Sequence, residues 1–129
     1  MTFGLLDCLG LVRDLGMPVT SVRVSGGGAR SAFWRQMLAD VFSAEVATVN
    51  ATEGAAMGAA ILATVGAGAF KSVDEACAML VRETSRTAPG ANALLYPPQA
   101  ERYRSLYQSL SSEFAEMSMS VARASRPGA

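Results

Sequence analysis

A chain of 129 residues is long enough for one domain and too short for two, and 50% hydrophobic with 17% charged residues marks a globular protein rather than a disordered one. The formal net charge of zero gives no electrostatic basis for binding nucleic acid or an anionic membrane. Histidine is absent, which excludes Ser-His-Asp and Cys-His nucleophile pairs and His-ligated zinc, and with them most hydrolase chemistry.

From Met1 to Gly16 the apolar residues Leu5, Leu9, Val12 and Leu15 form a helical stripe, with Asp7, Arg13 and Asp14 off that face. Apart from Thr2 no capping residue precedes it, so the helix is expected to begin abruptly, as an element entered from within would. There is no basic stretch followed by an apolar core and a cleavage site, so no export signal is expected and the protein is read as cytoplasmic. Gly16 closes the helix, and Met17-Pro18 leads into an extended segment. Val19 to Ser25 reads as a strand, with Val22 and Val24 on one face and Ser21, Arg23 and Ser25 on the other. Arg23 is expected to reach a sheet edge or a carboxylate partner. After a glycine run, Phe33, Trp34, Met37, Leu38, Val41 and Phe42 share a broad helical face suited to covering a sheet.

Glu45 to Val49 is a second short strand, and the strand-helix-strand order implies a parallel pair. The turn Asn50 to Glu53 opens a helix in which Gly54, Gly58, Ala55 and Ala59 make a strip without large side chains, fit for close packing or for a flat ligand. Gly54 to Phe70 is the longest uncharged run, but it is made largely of Ala and Gly, so it reads as a buried helix rather than a membrane span. Gly66 and Gly68 end it. Ser72-Val73-Asp74-Glu75 has capping-box spacing and opens a short helix to about Arg82, and Thr84 to Leu95 reads as loop. Pro97 and Pro98 mark the start of a last helix, whose stripe of Tyr103, Leu106, Tyr107, Leu110, Phe114 and Met117 is expected to be core. Residues 1–121 are thus the folded part, and 122–129 are expected to be a disordered tail. Cys8 and Cys77 are isolated, and two buried, reduced thiols are expected. Two strands with about five helices leave a sheet too small to stand alone, so the chain is expected to form part of a larger domain.

The densest chemistry lies in Val22 to Ser31. Gly26, Gly27 and Gly28 follow a β-branched run and precede a helix beginning near Ser31, leaving bare backbone that can adopt positive φ and meet a ligand at contact distance. Unpaired N–H groups and the positive end of the helix dipole face the same space, which favours phosphate. A Rossmann dinucleotide site is a competing reading, but it asks for G-x-G-x-x-G and an acid ending the second strand. Here the glycines are contiguous and the strand ends at Val49-Asn50.

Three segments together, Val24-Ser25-Gly26-Gly27-Gly28-Ala29-Arg30-Ser31, Trp34 to Asp40, and Glu53-Gly54-Ala55-Ala56-Met57-Gly58-Ala59-Ala60, resemble the C-terminal domain of FGGY-family carbohydrate kinases, above all the xylulose-phosphorylating branch. The resemblance runs from about Phe3 to Met117. It implies an α/β chain that is part of an actin-like, ribonuclease-H-like ATPase domain, helix-rich, with a short parallel βαβ unit and an incomplete sheet. It also implies that Gly26, Gly27, Gly28 and Ala29 lie against ATP, with Ser31 close by. The implied reaction moves the γ-phosphoryl group of ATP, with Mg2+, to a sugar hydroxyl, giving xylulose 5-phosphate in that branch. The base that accepts the hydroxyl proton is in that family an aspartate N-terminal to anything present here, and the sugar is bound largely by the N-terminal domain, so no catalytic residue and no metal ligand are assigned. Asp7, Asp14, Asp40 and Asp74 read as solvated helix residues or caps. The chain alone is expected to be inactive. The alternative is a non-catalytic fragment that self-associates through uncovered sheet edges.

Overall fold

Alternation of Val22 and Val24 with Ser21 and Arg23 does produce a strand, β1 (Ser21–Val24), and the β-branched Glu45–Val49 forms β2 beside it. The two are parallel, with Val22 opposite Val46 and Val24 opposite Thr48. Between them runs α2 (Ala32–Phe42). The computed structural model describes residues 1–124. It divides into two units, Met1–Leu94 and Leu95–Ala129.

In the first unit, α1 (Thr2–Asp14) precedes β1, and α3 (Gly54–Gly66) and α4 (Val73–Leu80) follow β2. A third strand, β3 (Glu83–Thr87), then pairs antiparallel with β2, giving the order β1-β2-β3. This corrects the sequence expectation of loop from Thr84. Glu-Thr-Ser-Arg-Thr has no apolar alternation to betray a strand; it is held by backbone pairing and by the Thr48 hydroxyl, 2.8 Å from that of Thr84 and 2.7 Å from that of Ser85. The parallel unit stands, and the sheet is mixed.

The core gathers where α2 lies along β2. Leu38, Val41, Phe42 and Val46 are buried, and the neighbouring Ala39 and Ala47 are fully enclosed. Of the face expected to cover the sheet, Trp34 and Met37 are half-buried and Phe33 is exposed, because it falls in the first turn of α2, outside the packed part. Arg13 of α1 donates to the Phe42 carbonyl at 2.9 Å, satisfying one of the orphan carbonyls at the end of α2. Ser43 then turns the chain in the left-handed conformation at φ 47°.

Asp40 is buried, not solvated. Its Oδ1 accepts from the Gly90 backbone N–H at 2.6 Å and from Gln36 Nε2 at 2.9 Å, and Gln36 also donates to the Ala88 carbonyl. One carboxylate thereby ties the segment after β3 to α2. Asn50 acts similarly at the end of β2, donating to the Leu80 carbonyl and accepting from the Arg82 N–H. The Ser72 hydroxyl accepts from the Glu75 N–H, and Glu75 in turn accepts from the Lys71 N–H, so the expected cap is present. Helix α4 stops at Leu80, two residues short of Arg82, where the chain extends toward β3. Gly66 is the last residue of α3, and Gly68 at φ 76° reverses the chain beyond it. Cys8 is exposed and Cys77 half-buried, correcting the expectation of two buried thiols.

The second unit is α5 (Tyr96–Ala124), with Pro97 and Pro98 in its first turn, where a missing N–H does no harm. Tyr103, Leu106, Tyr107, Leu110, Phe114 and Met117 do share a stripe, and the Tyr107 and Phe114 ring centroids are 6.0 Å apart. The stripe is exposed, not core. The helix continues through Ala124, past the start of the expected tail at 122; residues 125–129 lie outside the described residues.

Candidate functional site

Parallel strands place their C-terminal ends side by side, and the connections that leave them line a common crevice. At the end of β1, Gly26 adopts φ 87° and ψ −175°, a conformation that only glycine takes without strain. Its N–H donates to the Thr52 carbonyl at 3.0 Å, so the turn after β1 is pinned to the turn after β2. A 3-10 turn over Gly27–Arg30 follows, closed by Ala29 N–H to the Gly26 carbonyl and Ser31 N–H to the Gly28 carbonyl. Ser31 then caps α2, its hydroxyl accepting from the Trp34 N–H at 3.3 Å.

The three glycines differ in what surrounds them. A Cβ at Gly26 or Gly27 would meet nothing within 4 Å, whereas one at Gly28 would lie 3.3 Å from the Trp34 ring. Gly28 is therefore bare so that the indole can pack on the turn, and Gly26 and Gly27 leave bare backbone open to whatever approaches. At Gly54, the first residue of α3, a Cβ would stand 2.9 Å from the Ser25 hydroxyl, so the start of α3 abuts the end of β1. The small residues Gly54, Ala55, Gly58 and Ala59 are exposed.

Two depressions flank this junction. One, of about 170 Å3, is bordered by Gly26, Ala29, Arg30, Arg35, Thr48 and Thr52, a mixed polar and basic lining. The other, of about 220 Å3, is bordered by Val24, Met57, Gly58, Ile61 and Val81, with Arg23 at its margin, and is apolar. Val24, Ser25, Val49 and Ala51 border both.

Arg23 finds the carboxylate its place in β1 called for. It donates through Nε and Nη2 to Glu83 Oε1 on β3, each at 3.2 Å. Arg86 joins through Glu83 and through Glu45 Oε1 at 2.7 Å. The bonds from Arg23, and after them those from Arg86, hold the Glu83 carboxyl below its ordinary value, and the Glu83 bond raises Arg86. The two guanidinium groups are largely open to solvent and the carboxylates half-buried at the surface, so screening leaves the network a weak contributor to stability.

Of the residues singled out in the sequence, Gly26 and Ala29 border the polar depression, while Gly27, Gly28 and Ser31 complete the turn above it. Arg30, Arg35, Thr48, Thr52 and Ser85 border it too and were not foreseen. For the two arginines the available signal was basic charge on either side of the helix start; the others come from β2, its following turn and β3, which only the fold brings together. Asp7, Asp14, Asp40 and Asp74 border neither depression. Among the described residues no group of three or more His, Cys, Asp or Glu side chains is placed to hold a metal ion.

Residues 2–67 match the family model described as the C-terminal domain of the FGGY family of carbohydrate kinases. The xylulose kinase of Bacillus subtilis strain 168 is 37% identical over 108 residues, which are 83% of this chain and 22% of that relative. That of Escherichia coli K12 is 38% identical over 109 residues, 84% of this chain and again 22% of the relative. The chain thus spans little more than a fifth of the curated relatives it matches. The solved structure of a ligand-bound xylulose kinase from Lactobacillus acidophilus superposes with a TM-score of 0.79 at 19% identity, over 90% of this chain and 24% of that one. The fold is that of these sugar kinases, the actin-like ATPase fold, here as a helix-rich portion with three strands of mixed sheet. A glycine turn at the ends of parallel strands, in a chain matched over half its length by the model of this one domain, places it by descent: it belongs to the FGGY family of carbohydrate kinases.

Proposed function

We propose that this chain is the nucleotide-binding C-terminal portion of a sugar kinase that transfers the γ-phosphoryl group of ATP to a hydroxyl of D-xylulose. The observation that carries the reading is the open backbone of Gly26 and Gly27 above a depression bordered by Ala29, Arg30 and Arg35. Bare main chain lets a flat, polar ligand approach closely, and two guanidinium groups suit its negative charge. Gly28 and Ser31 support the turn from behind, one under the Trp34 ring and the other capping α2.

In the reaction the sugar oxygen bonds to the γ-phosphorus as the bond to the ADP oxygen breaks, and the hydroxyl proton passes to a base. This chain's part is to bind and orient the nucleotide. Mg2+ accompanying ATP would neutralise phosphate charge, and among the described residues no carboxylate set is placed to hold it. The ion, the base and the sugar contacts belong in this reading to the larger part of the kinase outside these residues. The isolated chain is accordingly inactive, and its setting is the cytoplasm, where ATP is abundant. Among the described residues no helix is long and apolar enough to cross a membrane.

Calorimetric titration with ATP tests the reading. The purified chain should bind ATP, and Gly27→Val, which adds bulk to an open and unstrained position, should weaken binding about ten-fold or more at unchanged melting temperature. It should not phosphorylate D-xylulose. Equal affinity in the variant, or phosphorylation by the chain alone, would overturn the proposal.

A further inference from the structure

A turn made of three successive glycines has no side chains of its own to hold it, and glycine loses more freedom on ordering than any other residue. Beyond its two internal backbone bonds, what keeps such a turn in a receptive shape must reach it from outside. Three contacts do so. The Thr52 carbonyl takes the Gly26 N–H, the Trp34 ring lies against Gly28, and Arg35, one turn into α2, sends Nη1 back to the Ala29 carbonyl at 2.6 Å. The last is the only one of the three that carries a charge, and a charge-assisted bond from a planar guanidinium is both stronger and more directional than a neutral one.

The rest of that guanidinium makes a packing role insufficient. Arg35 Nε is buried and has no hydrogen-bond partner among the described residues. A buried donor left unpaired destabilises the fold, a penalty that an apolar side chain at the same place would avoid. Arginine here is explained by what its Nη1 does, and the same side chain borders the polar depression beside Gly26 and Ala29.

We propose that Arg35 is the positioning residue of the glycine turn, fixing the Gly27–Arg30 backbone through the Ala29 carbonyl so that it meets the nucleotide already ordered. Preorganisation of this kind raises affinity by removing the ordering penalty from the binding step. The idea rests on the nucleotide reading for its purpose, but its structural half can be measured without any nucleotide.

The test compares the purified chain with Arg35→Met, which keeps the stem and removes the donors, and Arg35→Lys, which keeps a cation with a single donor nitrogen. Amide hydrogen exchange at Ala29 and Ser31, both bonded within the turn, should quicken about ten-fold in Arg35→Met, while the amides of β2 stay as they are. ATP affinity should fall by a similar factor, and Arg35→Lys should recover much of both losses. Unchanged exchange in the turn of Arg35→Met overturns the proposal, even if ATP binding is lost, since that pattern marks a direct ligand contact instead. Quickened turn exchange in a chain that binds no ATP supports the positioning role and defeats the nucleotide reading alone. Should Arg35→Met loosen β2 as well, Arg35→Lys decides: native exchange in β2 with turn exchange slowed back toward the parent rate upholds the role, and native β2 with turn exchange as fast as in Arg35→Met overturns it.

Discussion

Where α2 lies along β2, Phe42 and Val46 are enclosed and even a carboxylate, Asp40, is taken inside and bonded on two sides. A few residues away, at the rim formed by the ends of β1 and β2, Gly27, Gly28, Gly54 and Gly58 are exposed, and the backbone is held by single bonds from Thr52 and Arg35. The same short sheet therefore has one flank built for stability and one end built for access. Burial of apolar area supplies the first, and the second depends on it, because a bare turn keeps its shape only when the strands and helix that carry it do not move. Local opening should accordingly be easier at the rim than across β2.

The comparison breaks most visibly at Asp40. Asp40→Ala removes a buried carboxylate together with its two bonds, from the Gly90 N–H and the Gln36 amide, and urea denaturation should show a loss of about 2–3 kcal/mol. A loss near zero would mean that the buried carboxylate does not tie the segment after β3 to α2. At the other extreme stands Glu83, also a carboxylate but in an exposed network with Arg23 and Arg86. Its pKa is held down in the folded state, so the stability it adds is present above the ordinary carboxylate range and is lost as pH falls through the lowered value. Glu83→Gln should leave neutral-pH stability little altered and flatten the acid side of a melting-temperature profile, an effect that moderate salt also suppresses. An acid limb as steep as that of the parent chain would place the responsible carboxylate elsewhere.

How far the sequence foretold this arrangement depended on how local the cause was. Val22 and Val24, the β-branched run of β2, the capping spacing of Ser72 and Glu75, and the glycine turn before Ser31 all signal through neighbours in the chain, and each element formed where expected. Strand β3 did not, because Glu83–Thr87 is a strand only by virtue of pairing with β2. Asp40 looked like a surface residue since the N–H it accepts from is 50 positions distant. Arg23 asked for a carboxylate that only β3 could bring. The α5 stripe has the periodicity of a core helix, yet periodicity states that residues share a face, not that another surface covers it. At the site, glycine spacing pointed to the turn, while Arg35, six residues beyond the carbonyl it bonds, offered only its basic charge after the helix start and nothing to mark that bond.

The central claim is that adenine nucleotide lies against the turn after β1, and amide chemical shifts during an ATP titration of the isotope-labelled chain test it residue by residue. Saturable shifts are expected at Gly26, Gly27, Gly28 and Ala29, with the amides of α4 undisturbed. Shifts confined to other elements, or none at ATP concentrations in the millimolar range, would contradict it.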